Sequence, residues 1–225
     1  MKNIFFENLN IKIIKNNRSK NMRLRLDKNG TVVLSMPKWT LQRTGLKFIQ
    51  DNIEWIKTQQ NKIISPQVFQ NGMEITLIGT PLIITHSPAT RTGCHIDTSK
   101  LIVSGDIHHL HRRVRDFIKQ YAYAYIQQTA LQMATVLNEK PTKITLRDTS
   151  SRWGSCSSSK HLSFCWKLAL APEFVLKYII AHEVAHLKEM NHSHQFWATV
   201  ALLNVQRADA EIWLRKNGSE LQAWE

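Results

Sequence analysis

The 225-residue chain has only three cysteines, Cys94, Cys156 and Cys165, which cannot all pair and form no CxxC. That argues against a disulfide scaffold and for small, reduced residues, Cys156 included. No window of about 18 apolar residues occurs, so no membrane partner is expected. The start, MKNIFFENLNIKIIKNN, mixes Glu7 and asparagines among its apolar residues, and no small-residue cleavage site follows. We read it as a folded strand region of a cytoplasmic protein. Internal repeats, low-complexity linkers and a phosphate-binding glycine loop are also absent from view. Acidic residues are scarce: 17 against 30 Lys and Arg, a net charge of +13 and a pI of 9.9. The imbalance is greatest at the front, where residues 1–85 hold 13 basic against 5 acidic residues, +8, and the remainder is +5. Such a field attracts nucleic acid, anionic membranes or acidic proteins without specifying which. A solvated basic surface explains it equally well.

What is present is concentrated between Tyr178 and Trp197, YIIAHEVAHLKEMNHSHQFW. His182, Glu183 and His186 form an HExxH motif, whose two imidazoles lie about 40° apart around a helix and can share one zinc ion. Glu183, roughly 100° from His182, is placed to take a proton from a water on that metal. On an unbroken helix His192 would lie about 15 Å along the axis from His182, too far to share an ion. If it is a ligand, the helix must stop between Glu189 and Asn191, and Asn191 tolerates the left-handed conformation that ends helices. Pro172 suits a first turn, and Val175, Tyr178 and Ile179 share the histidines' side, so an apolar face carries the imidazoles inward. Buried histidines need partners, which a metal and an adjacent carboxylate provide. Glu211 and His194 are reserve third ligands.

The segment RWGSC (Arg152–Cys156), the strand-like stretch after it, and Tyr178 with HEVAHL and NHSHQFW resemble the YgjP-like metallopeptidase family, weakly over the first hundred residues and strongly over 142–197. The arrangement also resembles SprT-like proteases, and so proteases of DNA-crosslinked proteins. The resemblance implies zinc, with His182, His186 and His192 as ligands and Glu183 as catalytic base. It also implies an α+β, zincin-like catalytic domain, its HExxH helix packed on a long helix and a small sheet. Glu189 departs from the metzincin pattern, which has glycine there.

Along the chain, Met22, Leu24 and Leu26 alternate with Arg23 and Arg25, and after an Asp27–Gly30 turn Val32, Leu34 and Met36 resume. This is a hairpin with a basic outer face. Arg18, Lys20, Arg23 and Arg25 can track a phosphate backbone, but edge strands carry such charges to prevent aggregation, and we favour that reading. Thr40 caps a helix expected to run to Lys62 through Leu46, Ile49, Ile53 and Ile56. Trp39 and Trp55 read as packing residues, since no aromatic array accompanies them. Strands at 74–78, 82–85, around His95 and at 101–103 are expected to complete a small mixed sheet. His108, His109 and His111 form an exposed helix start. A long amphipathic helix follows to Asn138 through Val114, Phe117, Ile118, Tyr121 and Tyr125. We therefore expect a basic, β-rich front module at 1–106 and a catalytic module at 107–225.

Lys143–Arg147 reads as a strand, and Leu162, Phe164 and Trp166 mark another. A sheet edge bordering the cleft would let a peptide add as an extra strand. Arg152 can then grip a carboxylate or stabilise an oxyanion; equally, RWGSC can be a rigid turn with Trp153 in the core. Ser193 caps a helix packed through Phe196, Trp197, Val200 and Leu203, and a last helix contains Ile212 and Trp213. The function expected is a zinc-dependent peptidase acting on a peptide or protein substrate. The alternatives are a nucleic-acid-associated protease whose basic front docks on DNA or RNA, and another metal-dependent hydrolase.

Overall fold

A computed structural model describes residues 2–27, 30–60, 64–89, 93–203 and 205–225. The fold is mixed α+β in two compact units, Met1–Ser65 and Pro66–Glu225.

In the first unit, alternation of apolar and polar residues builds strands β1 (Lys2–Phe6), β2 (Leu9–Asn16), β3 (Arg23–Leu26) and β4 (Val32–Pro37), ordered β1-β2-β4-β3. The expected hairpin forms with Leu24 opposite Leu34, and β3 is an edge strand. Ile11, Ile13, Val32, Leu34 and Met36 face Ile49 and Ile56 of helices α1 (Gln42–Asp51) and α2 (Ile53–Gln60). The periodicity predicts one continuous helix here, but Asn52 divides it, its Nδ2 donating to the Phe48 carbonyl at 2.8 Å. Leu41, not Thr40, precedes α1, without a side-chain cap. The expected end at Lys62 lies outside the described residues. Trp39 and Trp55 are not packing residues, being 78% and 43% exposed.

The second unit begins with β5 (Glu74–Leu77), β6 (Thr80–Ser87), β7 (Cys94–Asp97) and β8 (Lys100–Ser104), ordered β5-β6-β8-β7. These strands form a small mixed sheet, as expected, and it is separate from the first. Its topology repeats that of β1–β4: two antiparallel hairpins joined through a parallel inner pair, β2 on β4 and β6 on β8. Each first hairpin turns on two residues with positive φ, Glu7 and Asn8 (46° and 62°), then Ile78 and Gly79 (48° and 82°), as type I′ turns require. The sequence shows no such repeat because different side chains satisfy the same turn.

The expected boundary at residue 106 is displaced to Ser65/Pro66. The reason is burial: Ile75, Leu77, Leu82, Ile84, Leu101 and Val103 share one core with helix α3 (Leu110–Val136). That helix buries Leu110, Val114, Ile118, Ala122, Ile126, Ala130 and Ala134, a stripe at every fourth residue. Tyr121, one residue off the stripe, is 43% exposed. At the helix start His108 and His109 are exposed, whereas the His111 Nδ1 accepts from the Phe69 amide at 3.0 Å. The alanines leave a shallow surface on which another helix can lie close.

That helix is α4 (Glu173–Ala185). Strands β9 (Lys143–Arg147), β10 (Gly154–Cys156) and β11 (His161–Cys165) form the third sheet, ordered β10-β11-β9, with β10 at an edge. Trp166 opens a 3-10 helix, Trp166–Leu170, instead of extending β11. Helices α5 (His194–Leu202) and α6 (Arg207–Gln222) complete the unit. Among the described residues no helix is long and apolar enough to cross a membrane.

Candidate metal centre

Helix α4 is buried on most of its circumference, from Val175 and Leu176 to Val184 and Ala185. An apolar sequence of this kind sinks into the core and takes its few polar residues with it. Glu183 is thereby left only 7% exposed, and His182 and His186 half-buried. The helix ends at Ala185 with His186 as its C-cap, earlier than expected. The Leu187 amide donates to Val184, and the Lys188 and Glu189 amides to Ala185, closing a tight turn. Asn191 does not adopt the left-handed conformation expected of it. Its Oδ1 instead accepts from the Ser193 amide at 3.3 Å, and Ser193 Oγ caps α5 by accepting from the Phe196 amide at 3.4 Å.

This reversal brings His192 back to the helix. Its Nε2 lies 3.0 Å from the His182 Nε2, and one ring nitrogen from each of His182, His186 and His192 lies within 4.8 Å of the others. The ring centroids are 4.8–5.1 Å apart. Phe196, fully buried, lies under all three at 5.0, 4.5 and 4.7 Å. The His186 Nδ1 donates to the Glu189 carbonyl at 2.9 Å, which leaves Nε2 as its free lone pair.

The donor set fits a cation. Two nitrogens on one tetrahedral zinc, at bonds of roughly 2 Å, would be about 3.3 Å apart, close to the 3.0 Å between His182 and His192. Burial, reinforced by the neighbouring imidazoles His186 and His192, pushes His182 down to about 4, so it stays in the neutral form that binds metal. His186 is lowered as well, chiefly by burial.

Burial also pushes the Glu183 carboxyl up to about 7, against the opposing pull of the Arg152 guanidinium. Its side chain rests on Gly154: a Cβ there would meet Glu183 Cγ at 2.5 Å and Oε1 at 2.7 Å. Arg152 is exposed and acts on Glu183 as a charge, while Trp153 is partly buried against the core and near Gly218. Of the expectations for RWGSC, Trp153 does pack against the core, but Gly154–Cys156 forms the strand β10 and not a rigid turn. The Cys156 thiol is pushed up to about 11 by burial and by Glu183, which keeps it protonated.

The reserve ligands are used otherwise. His194 starts α5 outside the cluster. Glu211 Oε1 accepts from Tyr178 Oη at 2.7 Å and Arg207 Nε at 2.8 Å. The Arg207 guanidinium in turn lies 3.3 Å over the Trp197 ring, which stacks on His192 at 5.7 Å. Sequence reasoning misses this brace from α6, although Arg207 and Glu211 carry the i,i+4 spacing of a helical ion pair.

The family model described as YgjP-like, metallopeptidase domain matches residues 20–217. No curated protein and no solved structure matches the chain. A match over that length, on a chain that gathers HExxH and a third histidine at one point, places this protein in the YgjP-like metallopeptidase family.

Proposed function

We propose that the protein is a zinc-dependent peptidase of zincin-like layout in which His182, His186 and His192 hold the metal and Glu183 is the general base. The observation carrying this reading is the convergence of three imidazole nitrogens within 4.8 Å beside a buried carboxylate. Three neutral imidazoles suit zinc. These residues would hold the ion, and zinc there would supply Lewis acidity toward a water and a substrate carbonyl.

Glu183 takes the proton of the attacking water on a carboxylate oxygen and returns it to the leaving amine nitrogen. A carboxyl raised to about 7 holds and releases protons near neutral pH. Gly154 gives that carboxylate its seat. Arg152 offers a cation to a substrate carboxylate or to the oxyanion. The free edge of β10, the strand that carries Gly154, accepts an extended peptide as an added strand. Three unpaired thiols suit work in a reducing cytoplasm.

The test is Glu183→Gln, with metal analysis of the purified chain and mapping of cleaved peptides. The variant is expected to keep stoichiometric zinc and lose hydrolysis by about 10³-fold or more. Full activity in it would overturn the assignment of the base.

A further inference from the structure

Residues 1–65 carry 13 Lys and Arg against four acids, Glu7, Asp27, Asp51 and Glu54. The helices of the first unit cover one face of its sheet, and the residues that alternate with the core positions form the other. In register across that second face run Arg25, Val33 and Lys12, then Arg23, Ser35 and Ile14, with Val33 itself buried. Arg23 and Arg25 are exposed, and Phe5 on β1 is 70% exposed. At one end the face opens into a groove of about 470 Å³ lined by Arg18, Lys20 and Arg23 with Asn16 and Asn21. A second hollow continues through Arg18 to Lys15 and Lys38. Neither is lined by an acidic residue, and none of these five cations is in an ion pair among the described residues. Next to Lys38 in the chain stands Trp39, at 78% the most exposed large hydrophobic among the described residues.

Edge protection accounts for Arg23 and Arg25 on β3. It does not account for Lys12 on an inner strand, for a groove without acids, or for an indole left in water. Those features together match what an unpaired strand of bases requires: a cationic track for phosphates, amide side chains for polar edges and an aromatic face for stacking. A duplex would present its charge on a convex rod and keep its bases from Trp39. An anionic membrane would be met by a projecting apolar face, whereas the groove is concave and lined with asparagine and serine. We infer that this groove of the first unit, with the exposed Arg23 and Arg25 edge beside it, binds single-stranded nucleic acid, RNA or DNA, with Trp39 stacking on a base. The inference stands on this unit alone and is independent of the metal centre.

The experiment is fluorescence anisotropy of the full chain with labelled oligothymidylate and oligouridylate of about 20 nucleotides, long enough for one such site. Both strands are expected to bind, with log affinity falling against log salt at a slope of about −3, as for four or five phosphates neutralised. Trp39→Ala should weaken binding about tenfold and remove most of the tryptophan quenching that accompanies it. Arg23→Glu with Arg25→Glu should weaken it further and flatten the slope. A preference between the two strands would tell RNA from DNA as the partner. The inference is overturned by no binding at about 50 mM salt, by variants that bind like the parent, by tighter binding to a duplex, or by capture of anionic vesicles without capture of either oligonucleotide.

Discussion

Glu183 and Gly154 share a boundary with no room for one more carbon: a Cβ on residue 154 would stand 2.5 Å from the Glu183 Cγ. The carboxylate of α4 is therefore seated on bare backbone of the edge strand β10, and its position is set by what Gly154 lacks. Gly154→Ala should displace Glu183 without touching the histidines. We expect kcat to fall about 10²-fold, the scale of an ångström-sized misplacement of a catalytic group. Zinc content and the melting temperature should change far less. Normal kcat in the Gly154→Ala variant would show that the carboxylate does not need this seat.

Trp197 connects the exposed His192 to α6 through the Arg207 guanidinium. Trp197→Ala is expected to raise the zinc Kd about 10- to 100-fold, as loss of a residue that orients a ligand does. Trp197→Phe should recover part of the affinity by restoring a stacking face. Competition with a chromophoric chelator reads both. Equal affinities across the three proteins would reduce the stack to ordinary packing.

Arg152 lowers the Glu183 pKa against the larger, opposite effect of burial. As the proposed general base, Glu183 acts ionised, so activity should fall as pH drops through its pKa. Arg152→Ala removes a stabilising charge and should move that acid limb upward, by up to about one unit because the arginine is exposed and screened. The pH profile of kcat/KM measures it, and a downward or absent shift would contradict the coupling.

Tyr125 on α3 donates to Glu173 at the start of α4 at 2.6 Å, and Lys177 pairs with the same oxygen at 2.9 Å. The tyrosine hydrogen bond, then Lys177, holds the Glu173 carboxyl below its usual range. A depressed carboxyl stabilises the fold above its unfolded pKa, and that contribution is lost as pH falls through the folded value. Tyr125→Phe should cost about 1 kcal/mol near neutral pH, a modest figure because Glu173 is 46% exposed. The deficit should shrink at low pH. Denaturant melts at neutral pH and near pH 3 make the comparison, and a constant deficit would separate the effect from Glu173 ionisation.

The histidine cluster is legible in the sequence because helical periodicity and imidazole chemistry are local: spacing alone puts His182 and His186 on one side and demands a chain reversal before His192. The reversal occurs, but Ala185 and the carbonyls of the last turn produce it, not a left-handed Asn191. The seat at Gly154 and the brace at Arg207 are not legible, since each depends on an element distant in sequence. The domain boundary is misplaced for the same reason. Nothing local shows that Leu101 and Val103 share a core with Val114. Trp39 misleads because an aromatic residue in isolation reads as core.

The bond from His186 Nδ1 to the Glu189 carbonyl explains how Glu189 can stand where the metzincin pattern has glycine. The acceptor is main chain, and residue 189 has no positive φ, so neither a particular side chain nor a glycine is called for there. Any residue that lets the turn close would fix the imidazole in the same tautomer, its outward nitrogen ready before an ion arrives. Position 189 is thus free to vary in identity while its peptide group keeps one constant task.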